Sequence, residues 1–288
     1  MTTEQLIERI GGLPAYDLKD SQDYWRGLIY GKVGSGKTYL SATACEVPEM
    51  CPILYLDIEG GFRTIKANFP EAVAAGLFHV ITPQDRYSGG KIIEYKWPQI
   101  ERVMNDLKEQ ASRGVLKYNT FIIDSLSEAY DLGMQWWLAT QYAADNKRDL
   151  DLPGAAGGQD DFGRDWNKAR SVIRKMVRGF RDIGTHIIFT AHEEERKARD
   201  SDIWYIMPSF PGKVQTDLPG FVDEVSYIYT RDTGRREQET NRPIYERNVQ
   251  CQPTTVRPIC KSRANLPMVV KEPRMNSLLK LAGIGQEE

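Results

Sequence analysis

Long apolar runs are missing from this chain. No stretch approaches the ~20 consecutive apolar residues of a membrane-spanning helix. The opening segment MTTEQLIERI lacks the apolar core of a signal peptide, so a cytoplasmic setting without membrane association is expected. Cysteine and histidine are scarce, with 4 and 3 residues respectively. Cys45, Cys51, Cys251 and Cys260 show no CxxC or similar zinc-ligand spacing and read as reduced, structural thiols. An excess of either charge is also missing. The 38 Lys and Arg against 40 Asp and Glu leave a net charge of −2, which excludes a bulk polyanion binder and restricts any nucleic-acid surface to local patches. What is present is an ordinary globular composition, 41% hydrophobic and 27% charged. At 288 residues the chain can bury a full core without staples, as one large domain or two small ones.

Apolar spacing predicts a helix over Thr3–Ile10, ended by Gly11-Gly12, and then a polar stretch to Asp23. Trp25–Tyr30 reads as a buried strand running directly into a glycine-rich turn, with a helix from Lys37 to about Cys45 closed by Pro48. Further strands are expected at CPILYLD, Leu77–Ile81, NTFIIDS and THIIFTAH, with helices over Trp97–Arg113, Leu126–Tyr142 and Phe162–Ile183. The last of these carries a basic row, Arg164, Lys168, Lys175 and Arg178, which reads as a solvated face. Beyond it IWYIM, EVSYIYT, PIYERNVQ and VRPICKSR read as short strands, and Met275–Ala282 as a closing helix. This order implies an α/β protein with a mainly parallel central sheet flanked by helices and antiparallel strands at its C-terminal end. The expected division is an N-terminal helix and lead-in at 1–24, then one domain at 25–288. Asp149–Asp161 is the loosest segment.

Gly31-Lys32-Val33-Gly34-Ser35-Gly36-Lys37-Thr38 fits G-x-x-x-x-G-K-[ST] without a mismatch, and it lies between an expected strand and an expected helix, the context the motif requires. Its glycines let successive N–H groups curl around phosphate oxygens. Gly31, Gly34, Ser35, Gly36, Lys37 and Thr38 are therefore nucleotide-binding candidates, with ATP and Mg²⁺ as ligands. Lys37 would reach the β- and γ-phosphates, and Thr38 would offer its hydroxyl to the metal.

The second half of such a site is an acid at the tip of a buried strand. Asp124, ending NTFIID, supplies it as a magnesium-shell ligand. Hydrolysis also needs a carboxylate to activate water. The residue after Asp124 is Ser125, so the base must lie elsewhere. Asp57 and Glu59 sit at another strand tip; alternation places them on one side, with Glu59 further toward the carboxyl edge. Glu59 is taken as the base, Asp57 as structural and Glu128 as the fallback. His192 ends THIIFTAH and suits a γ-phosphate sensor, or a satisfied strand-end histidine; His186, at the opposite end, is expected to take no part.

The order GKVGSGKT, LDIEGG, FIIDS, IIFTAH resembles the RecA-like P-loop ATPases, and more narrowly the phage-encoded members that anneal single-stranded DNA. The resemblance spans about Trp25 to Pro267. It implies the RecA-like P-loop NTPase fold, Glu59 as the water-activating residue and His192 as the phosphate sensor, in place of RecA's glutamine. It also implies rings or filaments with each ATP at a subunit boundary. In that setting Lys261 and Arg263 of CKSRANLP, two apart and so on one strand face, would reach a neighbour's γ-phosphate.

Asp149–Asp161 and Glu193–Lys213 correspond to the family's DNA-facing loops. The first is acidic. The second sets Arg196, Lys197, Arg199 and Lys213, with Trp204 for base stacking, against Glu193, Glu194, Glu195, Asp200 and Asp202. The implied activity is ATP-driven single-strand DNA binding and annealing in DNA recombination, as an oligomer, with a single-strand DNA-binding protein as a candidate partner. The implied location is a bacterial host's cytoplasm. The alternatives are a DnaB-like translocating motor and a nucleotide-dependent switch or scaffold that binds no DNA.

Overall fold

Apolar runs too short for helices, such as Ile53–Leu56, Phe121–Ile123 and Ile187–Phe189, are buried on both sides, as a parallel sheet covered by helices requires. The computed structural model describes residues 6–11, 13–16, 23–142, 162–198, 202–210 and 213–285. Its strands are β1 (Leu6–Ile10), β2 (Leu13–Tyr16), β3 (Arg26–Gly31), β4 (Ile53–Asp57), β5 (Phe78–Ile81), β6 (Arg86–Ser88), β7 (Lys91–Glu94), β8 (Thr120–Asp124), β9 (His186–Lys197), β10 (Trp204–Pro208), β11 (Glu224–Arg236), β12 (Pro243–Gln250), β13 (Lys261–Ser262) and β14 (Val269–Lys271). Its helices are α1 (Lys37–Ala42), α2 (Phe62–Asn68), α3 (Pro70–Ala74), α4 (Lys96–Ser112), α5 (Leu126–Trp137), α6 (Phe162–Arg181), α7 (Val214–Asp217) and α8 (Met275–Ala282).

The central sheet runs β14-β12-β11-β3-β9-β8-β4-β5, with β10 added to β9 and β13 to β11. From β11 to β5 every neighbour is parallel, whereas β12 and β14 are antiparallel. This is the α/β P-loop NTPase arrangement expected, with the C-terminal antiparallel strands extending one side of the central sheet.

Strand alternation divides the core into two layers. Leu28 and Tyr30 of β3, Leu54 and Leu56 of β4 and Phe121 and Ile123 of β8 pack with Trp97, Ile100, Met104 and Ile173 from α4 and α6. Ile29, Ile53, Tyr55 and Ile122 face the other way, against Leu40 of α1, Ile65 of α2 and Met275 and Leu278 of α8. Each fully buried Ile, Leu or Phe contributes about 1.5–3 kcal/mol relative to exposure. Close approach is built in at Gly179 of α6, where a side chain would run into Met104 of α4.

Several expectations change. Over Thr3–Ile10 the described part is strand, not helix: Leu6–Ile10 pairs with Leu13–Tyr16. Gly11, at φ 60°, permits the tight reversal that makes this pairing available. The Arg86–Glu94 hairpin was not expected. VRPICKSR forms strand only at Lys261–Ser262; its start is a turn closed between Thr254 and Arg257, followed by Pro258, which has no N–H to give a ladder. Helix Leu126–Tyr142 ends at Trp137 and continues as a single wider turn over Leu138–Tyr142. Asp149–Asp161 lies outside the described residues, as do Arg199 and Asp200. No helix among the described residues is long and apolar enough to cross a membrane.

Candidate functional site

The register sets Gly31 of β3 beside His192 of β9, and Asp57 of β4 beside Asp124 of β8. Phosphate loop, acid, base candidate and sensor candidate therefore meet at the carboxyl edge of the parallel strands, where ligands bind in such sheets. β9 lies between β3 and β8, so His192 stands between the phosphate loop and the acidic strand tip.

Within the loop, Gly34 (φ 78°) and Gly36 (φ 99°) adopt left-handed conformations that a side chain would strain. Lys37 opens α1 and turns back, its ammonium donating to the carbonyls of Gly31 and Lys32 at 2.9 Å each. Burial lowers its pKa, and the charges of Asp124, Glu59 and Glu193 oppose that. Ser35 Oγ is buried without a partner among the described residues.

Asp124 is nearly inaccessible and accepts three side-chain hydrogen bonds. Thr38 Oγ1 and the Tyr55 hydroxyl both donate to Oδ2 at 2.6 Å, and Thr190 Oγ1 donates to Oδ1. Burial first, then the charge of Asp124, hold the Tyr55 phenol far above its ordinary pKa, so it remains a donor. Tyr55 and Thr190 were not anticipated; the available signal was a hydroxyl set inside an otherwise apolar strand.

Asp57 has the structural role expected of it. Its carboxylate accepts from the N–H groups of Gly60 at 2.9 Å, Gly61 at 2.7 Å and Phe62 at 3.4 Å, closing the turn into α2. The strand ends there, so alternation does not extend to Glu59. Instead, the Asp124 carbonyl accepts from the N–H groups of Ile58 and Glu59, which turns Glu59 toward β9. His192 Nε2 lies 2.8 Å from Glu59 Oε1, and Ser125 Oγ donates to the same oxygen. The carboxylate only accepts, so Nε2 carries the proton. Burial would raise the Glu59 pKa; the hydrogen bonds from His192 and Ser125 and the charges of His192 and Lys37 outweigh it, and the carboxyl sits below its usual range. Ser125, set aside in the sequence because it is not acidic, thus serves the base candidate directly. It also caps α5 by accepting from Glu128 N at 3.3 Å. Glu128 stands in that first turn, its pKa raised by burial and by Asp131.

Lys261 and Arg263 do not join the phosphate loop of their own chain. Lys261 pairs with Val225, and Val225 with Leu28, near the amino edge of the sheet. The Lys261 ammonium donates to the carbonyls of Pro219 and Val222 at 2.7 Å each. Arg263 is 58% exposed along its side chain and paired with Asp223.

The donor set suits a magnesium nucleotide: a lysine at a glycine-rich turn, a buried unpartnered hydroxyl at Ser35, and the Thr38–Asp124 pair. Among the described residues no group of three or more His, Cys, Asp or Glu could hold a metal alone. A Mg²⁺ here would draw on Thr38, Asp124 and the phosphates, and would supply charge neutralisation.

Comparison with known proteins gives no match among curated proteins. One crystal structure that matches is that of the RadB recombinase, at 14% identity, with 78% of each chain covered and a TM-score of 0.38. Residues 23–256 match the family described as AAA domain, a span that takes in every residue of the carboxyl-edge site. With that span and the phosphate-loop geometry together, this nucleotide-binding P-loop chain belongs to the AAA domain family.

Proposed function

We propose that this protein hydrolyses ATP with Glu59 as the base and couples the reaction to single-stranded DNA binding and annealing, as a ring or filament of copies. The observation that carries the ATPase reading is the Glu59 carboxylate, deprotonated in its setting and held by Ser125 and His192 beside the phosphate loop. A carboxylate so placed orients a water and takes its proton, while Lys37 stabilises charge on the departing phosphate. Thr38 and Asp124 would hold a magnesium ion, which would neutralise phosphate charge.

The DNA reading is supported by how β9 continues. From His192 it runs without interruption through Glu193–Lys197, where it pairs antiparallel with β10, on which Trp204, 52% exposed, stands opposite Lys197. Lys32 of the phosphate loop reaches Glu193 and Glu195 of this strand, each at 3.9 Å. The phosphate loop is thereby in contact with a two-stranded ribbon that carries the exposed Trp204 as an aromatic platform and the cations Arg196 and Lys197, paired with Glu194 and Asp202. An aromatic face beside cations is the chemistry that single strands use. Lys261 and Arg263, at the far edge of the sheet, are assigned to a neighbouring copy's nucleotide in the assembly.

The test is steady-state ATP hydrolysis with and without single-stranded DNA, beside anisotropy binding of a labelled oligonucleotide. Glu59→Gln should retain nucleotide binding and lose at least about a hundredfold in turnover. Unchanged turnover rejects Glu59. Hydrolysis unaffected by DNA, with no binding to the oligonucleotide, favours a nucleotide-dependent switch; directional strand displacement favours a translocating motor.

A further inference from the structure

Val249 of β12 is fully buried under the α1 side of the sheet. Alternation places Arg247 on the same face, two residues nearer the carboxyl edge, where the apolar core gives way to the phosphate loop. Its backbone is held from both directions: Arg247 N donates to Glu272 Oε1 at 2.8 Å, and Arg247 O accepts from Glu272 N at 2.7 Å. The guanidinium carbon lies 4.6 Å from the ring centroid of Tyr39, the residue after Lys37-Thr38. The same guanidinium abuts Gly36, where a β-carbon would come within 2.5 Å of Arg247 Nε. That Nε is buried and has no acceptor among the described residues.

Among the described residues, Glu272 and Glu46 have other partners. Glu272 bonds the Arg247 backbone. Glu46 is paired with Arg274, which also donates to the Tyr39 hydroxyl at 3.3 Å. A buried, unsatisfied guanidinium donor is costly, and an arriving anion removes that cost. The Tyr39 ring holds the guanidinium in place beside Gly36 of the phosphate loop, so the charge is positioned before any anion arrives.

We propose that Arg247 is a nucleotide-binding residue, donating from its guanidinium to a phosphate oxygen of the nucleoside triphosphate in the Gly31–Thr38 loop. This rests on the nucleotide-binding reading of that loop and extends it to β12, more than two hundred residues away in sequence.

The test is calorimetric binding of a non-hydrolysable ATP analogue and of inorganic tripolyphosphate, each with Mg²⁺, to wild type, Arg247→Ala, Arg247→Lys and Lys37→Ala. Removing a charge-assisted contact to phosphate should weaken both ligands by about tenfold or more. The dependence on salt should become shallower. Arg247→Lys should recover part of the affinity, because a point charge replaces the planar fork; it also serves if the alanine variant does not fold. Weaker analogue binding with unchanged tripolyphosphate binding would place the contact on the nucleoside and overturn the phosphate assignment. Unchanged affinity for both ligands, with a lowered Tm, would reduce Arg247 to a brace and overturn the proposal. A wild type that binds neither ligand, with Lys37→Ala indistinguishable from it, would instead overturn the nucleotide reading itself and the Arg247 role with it.

Discussion

His186 opens β9 at the amino edge of the sheet, far from the nucleotide edge, and is only 8% exposed. Its Nδ1 accepts from the backbone N–H of Trp25 at 2.9 Å, and the Tyr24 ring stands edge-on at 5.6 Å between centroids. An acceptor nitrogen must be unprotonated, so the folded ring is neutral. Burial lowers its pKa from 6.5 to about 4, with the charge of Glu49 opposing the change and that of Arg26 reinforcing it. The folded value lies below the unfolded one, so the unfolded chain binds the proton first. Its stability contribution is complete above about pH 6.5 and is lost as pH falls toward about 4. At about 1.4 kcal/mol per pH unit, the full loss is about 3 kcal/mol, and about 2 kcal/mol is already gone by pH 5. The assay is urea denaturation at pH 7.5 and pH 5.0 for wild type and His186→Gln, whose amide oxygen can still accept from Trp25. Carboxylates titrate alike in both proteins, so the difference between their pH dependences isolates His186. Wild type should lose about 2 kcal/mol more than the variant over that interval. Equal losses within about 0.5 kcal/mol would refute the assignment of a buried neutral ring.

Ser125→Ala removes the Glu59 contact and the α5 cap together. The Glu59 pKa should rise, moving the acid limb of the pH–rate profile upward, and stability should fall by about 1 kcal/mol; an unmoved limb rejects Ser125 as a positioning residue. Gly179→Ala, inside α6, brings a methyl group onto the flexible Met104 side chain. The repacking cost opposes a gain of about 1 kcal/mol in helix propensity, so urea melts should show a net change of less than about 2 kcal/mol. Gly220→Ala, into open space, should change stability by less than about 1 kcal/mol. Arg263→Ala should impair hydrolysis mainly in the assembled state, and mixing it with Lys37→Ala should partly restore turnover if the side chain acts on a neighbour's nucleotide. No recovery would assign Arg263 to its own chain, where it pairs with Asp223.

Local pattern alone was enough for the phosphate loop, the α/β alternation, Asp124 at a strand tip and the structural role of Asp57. In each case the information lies within a few residues: glycine spacing that a curled backbone needs, or an apolar run with a carboxylate at its end. The segment Leu6–Ile10 fits a helix as well as a strand by spacing, because a run so short satisfies both periods, and pairing with Leu13–Tyr16 makes it a strand. Tertiary structure decided the rest of the site. Strand order inserted β9 between β3 and β8, which brought His192 to Glu59 and Thr190 to Asp124. The turn after Asp57, not strand alternation, set the direction of Glu59. Arg247 reached Gly36 only because β12 joined the sheet beside β11. Such contacts depend on which strands become neighbours. That is settled by burial over the whole sheet, and no short window of sequence contains it.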